Sequence, residues 1–187
     1  MFEVTSVLVS LMCHPEREPK IEVPPGPGYE AFVNRTPNYA DAYRVAMARA
    51  VQSEMDLVTA DTDGYHPVDE IVKLATGSFY TEGPAIVLPY RENLGWQSNS
   101  YSYFFSLIER RRGRDATAGL CRFSLDFMRS LPPLRAPDMT IHIEILKHAL
   151  RSGAKLVQYG YRSAVNDPAE SKRTAHYQLK LLKAALS

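Results

Sequence analysis

Short apolar runs bounded by turn residues recur along the chain, and between them the apolar spacing changes to that of amphipathic helices. TSVLVSLM (5–12) is apolar and β-branched, which predicts a buried strand ending before His14-Pro15. PPGPG (24–28) cannot be regular structure and predicts a loop, followed by a short strand over 29–33. Asn38 with Asp41 predicts an N-cap for a helix running to about residue 53. Ala42, Ala46 and Ala50 fall on one face of it beside Tyr43, Met47 and Val51, small enough to pack closely on a sheet. MDLVTA (55–60) is a second buried strand, and Pro67 suits the first turn of a helix continued by VDEIVKLA. AIVLPY (85–90) is a third strand, ending at Arg91.

Downstream, 97–112 is aromatic-rich and expected to be helical. After Asp115 come a glycine turn, a helix around 124–130 and a proline break. IHIEILKHALRSG (141–153) predicts a helix with Gly153 as its stop, and KLVQYGY (155–161) a strand. Over 173–185 an amphipathic helix presents Leu179, Leu182 and Ala185 as one apolar row. Strand and helix alternate, which predicts an α/β fold with a mostly parallel central sheet covered by helices on both faces. Ligands of such sheets bind at the C-terminal ends of the strands. Asp61, Asp63 and Arg91 all fall at such ends.

The 187 residues suffice for a single domain, expected to span 1–187. A net charge of +1 gives no general attraction to nucleic acid, so any phosphate binding must be local. Two cysteines, Cys13 and Cys121, are too few for a disulfide framework and read as reduced thiols, pointing to the cytoplasm. The first residues carry no basic leader, and their apolar run is too short for a signal peptide or a membrane span. The expectation is a cytoplasmic protein that at most touches a membrane surface.

VTADTDGYHP (58–67) turns from a buried strand to a carboxylate-bearing turn within four residues. Two carboxylates one residue apart, on a turn leaving a strand, can divide their work. One binds a hard cation directly, and the other acts through water or a sugar hydroxyl. Mg²⁺ and Mn²⁺ favour few protein carboxylates together with substrate phosphates, and such an ion neutralises a departing diphosphate. The plainer alternative is a polar turn in which Asp61 or Asp63 caps the following helix.

DTDGYHPVDEI resembles the D-x-D-x-x-H-P-x-[DE] segment of family 2 glycosyltransferases, particularly the dolichyl-phosphate mannose synthase-like branch. Further resemblances follow in order. NRTPNYADAYRVAMARA looks like the segment before the D-x-D strand, and IVLPYR like the strand that ends in an arginine. DATAGLCRFSLD (115–126) is similar to D-P-T-S-G-F-R. IHIEILKHALRSGAKLVQYGYR resembles the F-E-I-E-L-L helix and its following strand, and AESK (169–172) the G-E-S-K tail. The collinear set covers most of 29–172. Residues 1–28 diverge: only TSVLVSLMCHPE stands before the proline loop, no Asp-Asp pair precedes Asp61, and a helix and a strand of the family's opening are missing from the pattern.

The resemblance implies a GT-A-like domain and a metal-dependent glycosyltransferase with a nucleotide-sugar donor, transferring with inversion to a polyprenyl phosphate. It implies Asp63 as metal ligand and catalytic residue, with Asp61 on ribose or on the Mg²⁺ or Mn²⁺ ion. Arg91, Arg122, Arg162 and Lys172 are carried over as phosphate contacts, because a donor diphosphate and an acceptor phosphate bring several negative charges into one cleft. Asp115 is the general base for a hydroxyl acceptor or orients the acceptor loop; a phosphate acceptor needs no base. His66 is expected to fix the turn, and Glu144 to be a structural partner as readily as a functional one. ERRRGR (109–114) is either a solvated helix end or a contact to an anionic membrane. Two other readings stand beside this one. The acceptor is a hydroxyl of a protein, a small molecule or a modified nucleic-acid base, or the chain binds a sugar nucleotide without turnover.

Overall fold

The computed structural model describes residues 6–80, 82–92 and 119–163, with 180, 183, 184 and 186 of a terminal helical stretch. Its centre is a six-stranded sheet. Strand β1 (Val7–Met12) lies between β2 (Tyr29–Asn34) and β3 (Asp56–Asp61), parallel to both. Next come β6 (Cys121–Phe123), β4 (Ala85–Val87) and β7 (Lys155–Val157), giving the order β2-β1-β3-β6-β4-β7. β6 runs antiparallel to both of its neighbours, while β4 and β7 pair in parallel. This strand was not anticipated in the sequence, where its three residues follow a glycine turn and lead directly into a helix.

AIVLPY and KLVQYGY each divide in two. β5 (Tyr90–Arg91) and β8 (Gly160–Tyr161) form a separate parallel pair, yet the register is unbroken: Ala85 faces Lys155, and Arg91 faces Tyr161. Leu88 and Tyr90 donate their N–H groups to the carbonyls of Val157 and Tyr159. Pro89 between them has no N–H to offer the opposite side, so pairing with β6 stops there. The two long strands continue past the point where β6 and β4 part.

Helix α1 (Tyr39–Gln52) starts as its cap predicted, with the Asn38 side chain accepting the N–H groups of Ala40 and Asp41. It buries Ala42, Tyr43, Ala46, Met47 and Ala50 against Leu8 and Leu57 on one face of the sheet, together with α3 (Leu125–Ser130) and α4 (Ile141–Ser152). Gly153 ends α4 as expected. Helix α2 (Val68–Thr76) covers the other face, burying Ile71, Leu74 and Ala75 with Val7, Val9, Val58 and Ala60. The alternate residues of β1 and β3 thus serve two cores, as the period-two pattern requires.

The crossover from β1 to β2 contains no helix. Residues 13–28 run as an extended loop whose Ile21 and Val23 pack on the α2-side core, doing in part what a crossover helix does elsewhere. Among the described residues no helix is long and apolar enough to cross a membrane.

Candidate active site at the ends of three strands

Met12 of β1 and Asp61 of β3 are register partners, so both strands stop at the same level. Thr62, between the two carboxylates, is held to β1: its N–H and its hydroxyl both donate to the Met12 carbonyl, at 3.2 and 3.1 Å. The chain then turns at Gly64, whose φ of +90° is one that a side-chain-bearing residue rarely adopts. Asp63 accepts the Tyr65 N–H at 3.2 Å, closing that turn. Neither aspartate caps α2. Its N-cap is Pro67, with no side-chain hydrogen bond. The helix-capping alternative is therefore excluded, and both carboxylates remain at the strand end.

Asp61 is half-buried and sits on the α1 side of the sheet. Gly119 approaches it so closely that a Cβ there would lie 2.0 Å from its Oδ2. Thr59 holds that backbone in place, donating to the Gly119 carbonyl at 3.3 Å, and its hydroxyl lies 3.2 Å from that of Tyr43. Half-buried Tyr39, whose hydroxyl lies 2.9 Å from Nε2 of His142, stands on the same side of the sheet. Burial pushes the Tyr39 and Tyr43 hydroxyls well above the usual phenol range, and the charge of Asp61 adds to both. These groups stay neutral, so they contribute O–H dipoles rather than charge.

Asp63 lies further out. It is exposed, yet the protein around its carboxylate displaces enough water to raise its pKa, against the lowering influence of the Tyr65 N–H and of the Lys20 and Arg91 charges. Arg91 is 8% exposed and ends β5, opposite Tyr161 of β8. Arg162 follows Tyr161 and is exposed. Two contacts tie this arm to the aspartate turn: His66 Nδ1 lies 2.8 Å from the Tyr161 hydroxyl, and Ser163 donates to the Tyr65 carbonyl at 2.8 Å. The ends of β3, β5 and β8 therefore converge, bringing Asp63 and Arg91 together with Arg162 at the margin. His66 fixes the turn, as its position before Pro67 suggested.

Arg122 is elsewhere, and its assignment as a phosphate contact is corrected. It is 6% exposed, and its guanidinium donates to Asp56 Oδ2 at 2.9 Å and to the carbonyls of Leu74, Ala75 and Gly77. Tyr80 joins the same group. Asp56 is at the beginning of β3, the end opposite to Asp61. The arginine therefore pins the C-terminus of α2 to the sheet, where the helix carbonyls favour a cation. Glu144 is likewise structural, accepting the N–H groups of Arg135 and Ala136. Asp115, Lys172, ERRRGR and the helix expected over 97–112 lie outside the described residues.

Among the described residues no group of three His, Cys, Asp or Glu side chains could hold a metal by itself. The set present, one outer carboxylate with a second behind it, fits a hard cation that takes its other ligands from phosphate and water. The sequence singled out Asp61, Asp63 and Arg91 correctly as strand-end groups. It missed Gly119, whose role is a close approach, and Lys20, which stands in the divergent loop.

No family model matches the chain, and no curated protein matches it in sequence. Solved structures do match. Glucosyl-3-phosphoglycerate synthase from Mycobacterium tuberculosis, in complex with Mn²⁺, UDP and phosphoglyceric acid, superposes with a TM-score of 0.65 at 16% identity, covering 97% of this chain and 78% of that one. The same enzyme with Mn²⁺, UDP-glucose and phosphoglyceric acid gives 0.64 at 14% identity, and with Mn²⁺, UDP and glucosyl-3-phosphoglycerate 0.64 at 18%, each covering 97% of this chain and 79% of that one. The chain has a GT-A-like α/β fold.

Proposed function

We propose that the chain is a divalent-cation-assisted glycosyltransferase that takes its sugar from a nucleoside-diphosphate donor. The observation that carries this reading is the pair Asp61 and Asp63 at the end of β3, neither used to cap α2, with Arg91 at the end of β5 close enough for its charge to act on the outer one. The fold supports it, since the similar synthase structures hold Mn²⁺ with UDP or UDP-glucose.

In this chain Asp63 would hold Mn²⁺ or Mg²⁺, with Asp61 as its second interaction or as a ribose contact. The ion supplies positive charge where the diphosphate departs. Arg91 steadies the same phosphates, and Arg162 and Lys172 are assigned to further phosphate oxygens. In transfer, an acceptor oxygen attacks the anomeric carbon as the bond from that carbon to the diphosphate oxygen breaks. The nucleoside diphosphate leaves with the electron pair.

The acceptor we assign is one that carries a phosphate group. The cationic groups at the strand ends suit it, and the similar synthase was captured with phosphoglyceric acid and with glycerol 3-phosphate. A polyprenyl phosphate, the acceptor of the dolichyl-phosphate mannose synthase-like branch, offers the same cationic groups a phosphate at a membrane surface, there as the attacking nucleophile itself, with ERRRGR assigned to anionic lipid. If a hydroxyl accepts the sugar, its proton passes to Asp115.

Calorimetric titration with UDP, in the presence and absence of Mn²⁺, tests the donor half: binding should tighten with the metal, and Asp63→Ala should abolish the gain. Equal affinity with and without metal would refute the assignment. Release of UDP from UDP-glucose, with glycerol 3-phosphate or with polyprenyl phosphate in vesicles, then separates the two acceptor sources.

A further inference from the structure

The divergent loop over 13–28 does more than cover the sheet. It leaves β1 at the level where β3 ends, and one of its backbone groups is tied into the aspartate turn: Lys20 N–H donates to the Thr62 carbonyl at 2.9 Å. Thr62 is the residue between Asp61 and Asp63, so the Lys20 backbone is tied to the same residue that fixes the two carboxylates on β1. Its stem then runs past Gly64, with Cβ and Cδ 3.7 and 3.8 Å from where a Cβ on that glycine would be. Its charge acts on Asp63, lowering the pKa that burial raises.

Among the described residues the ammonium forms no ion pair. Lys20 is exposed, with a flexible stem free to swing. Its charge and that of Arg91 both act on Asp63. A cation held by its backbone beside a carboxylate, but not consumed by it, is available to an anion that enters the same space.

We propose that Lys20 is a diphosphate-binding residue of this chain, delivered by the helix-free crossover to the turn that carries Asp63. This rests on the donor reading given above. Without donor, Lys20 serves as a distant counter-charge to Asp63. With donor present, the ammonium donates to a phosphate oxygen, a charge-assisted bond that the metal on Asp63 does not replace. Part of the phosphate affinity is therefore independent of the metal and comes from a loop that the sequence pattern marks only as divergent.

The test is calorimetry with inorganic pyrophosphate, UDP and uridine, with and without Mn²⁺, on wild type, Lys20→Ala and Lys20→Arg. Lys20 is exposed and contributes to the fold through its backbone N–H, which alanine keeps. Lys20→Ala should weaken pyrophosphate and UDP on the order of tenfold in both metal conditions, the worth of one charge-assisted bond, and Lys20→Arg should restore most of it. Uridine should bind all three proteins equally. A residue that merely steadied Asp63 would behave otherwise: its loss would leave metal-free pyrophosphate binding unchanged and tighten Mn²⁺. That result overturns the proposal while leaving the donor reading intact. Failure of wild type to bind UDP or pyrophosphate in either condition overturns both.

Discussion

His66 and Tyr161 are linked through a buried contact of 2.8 Å between Nδ1 and the phenol oxygen, although they are far apart in sequence. One belongs to the turn that carries Asp63, the other to the strand that leads into Arg162. The contact joins the turn that carries Asp63 to the strand end that carries Arg162.

Tyr161→Phe removes that bond while keeping the ring. We expect a loss of about 1 kcal/mol in unfolding free energy, the usual net worth of one hydrogen bond. UDP affinity in Mn²⁺ should fall severalfold because the turn loosens. Urea denaturation and calorimetry on the same protein check both, and unchanged UDP affinity would show that the two strand ends are positioned independently.

Arg122 and Asp56 form an ion pair with side chains only 8% and 3% exposed. Arg122→Ala leaves a buried carboxylate uncompensated and frees three carbonyls of the α2 terminus. It should cost about 3–5 kcal/mol of stability. UDP binding by the molecules that remain folded should be unaffected, whereas Arg91→Ala should weaken UDP with a smaller loss of stability. Denaturation midpoints and titrations of the two variants side by side decide the matter; a stable Arg122→Ala protein with no UDP affinity would return Arg122 to the binding site.

Asp63 gives a pH prediction whose sign depends on the metal. Burial raises its pKa above the ordinary carboxylate value of 3.8, so the folded state holds this proton more firmly than the unfolded one. In metal-free protein its contribution to stability is present below 3.8 and is lost as pH rises through the folded value. A cation competes with the same proton. Metal-dependent UDP affinity should therefore decline as pH falls toward the carboxylate range, beginning earlier than an ordinary aspartate would dictate. Titrations across that range with wild type and Asp63→Asn test this, and the variant should show neither trend.

Gly119→Ala places a methyl 2.0 Å from the present position of the Asp61 Oδ2, so the carboxylate must move. Because Thr59 holds the Gly119 backbone, the side chain of Asp61 is the part that gives way. UDP affinity in Mn²⁺ should fall on the order of tenfold, equivalent to about 1.4 kcal/mol. Far-ultraviolet circular dichroism should remain that of the wild type. Retained affinity would show that Asp61 does not touch the ligand.

Much of this was legible in the sequence. The apolar runs of β1 and β3, the Asn38 cap, the alanine face of α1, the Gly153 stop and the placement of Asp61, Asp63 and Arg91 at strand ends all follow from local pattern. Side-chain periodicity and capping are satisfied within a few residues, so a few residues suffice to specify them. The tertiary structure alone decided what those residues meet. Arg122 reads as a phosphate ligand in its own segment, and only the pairing of β3 with β6 brings it to Asp56, 66 positions earlier in the chain. β6 itself is three residues long, too short to carry a period, and exists because β3 and β4 flank it. Lys20 stands in a loop without a pattern, and Gly119 matters only because a carboxylate from another strand lies against it. The chemistry of a charged or very small residue is set by its neighbour across space, and that neighbour is fixed by strand order and register rather than by anything adjacent in the chain.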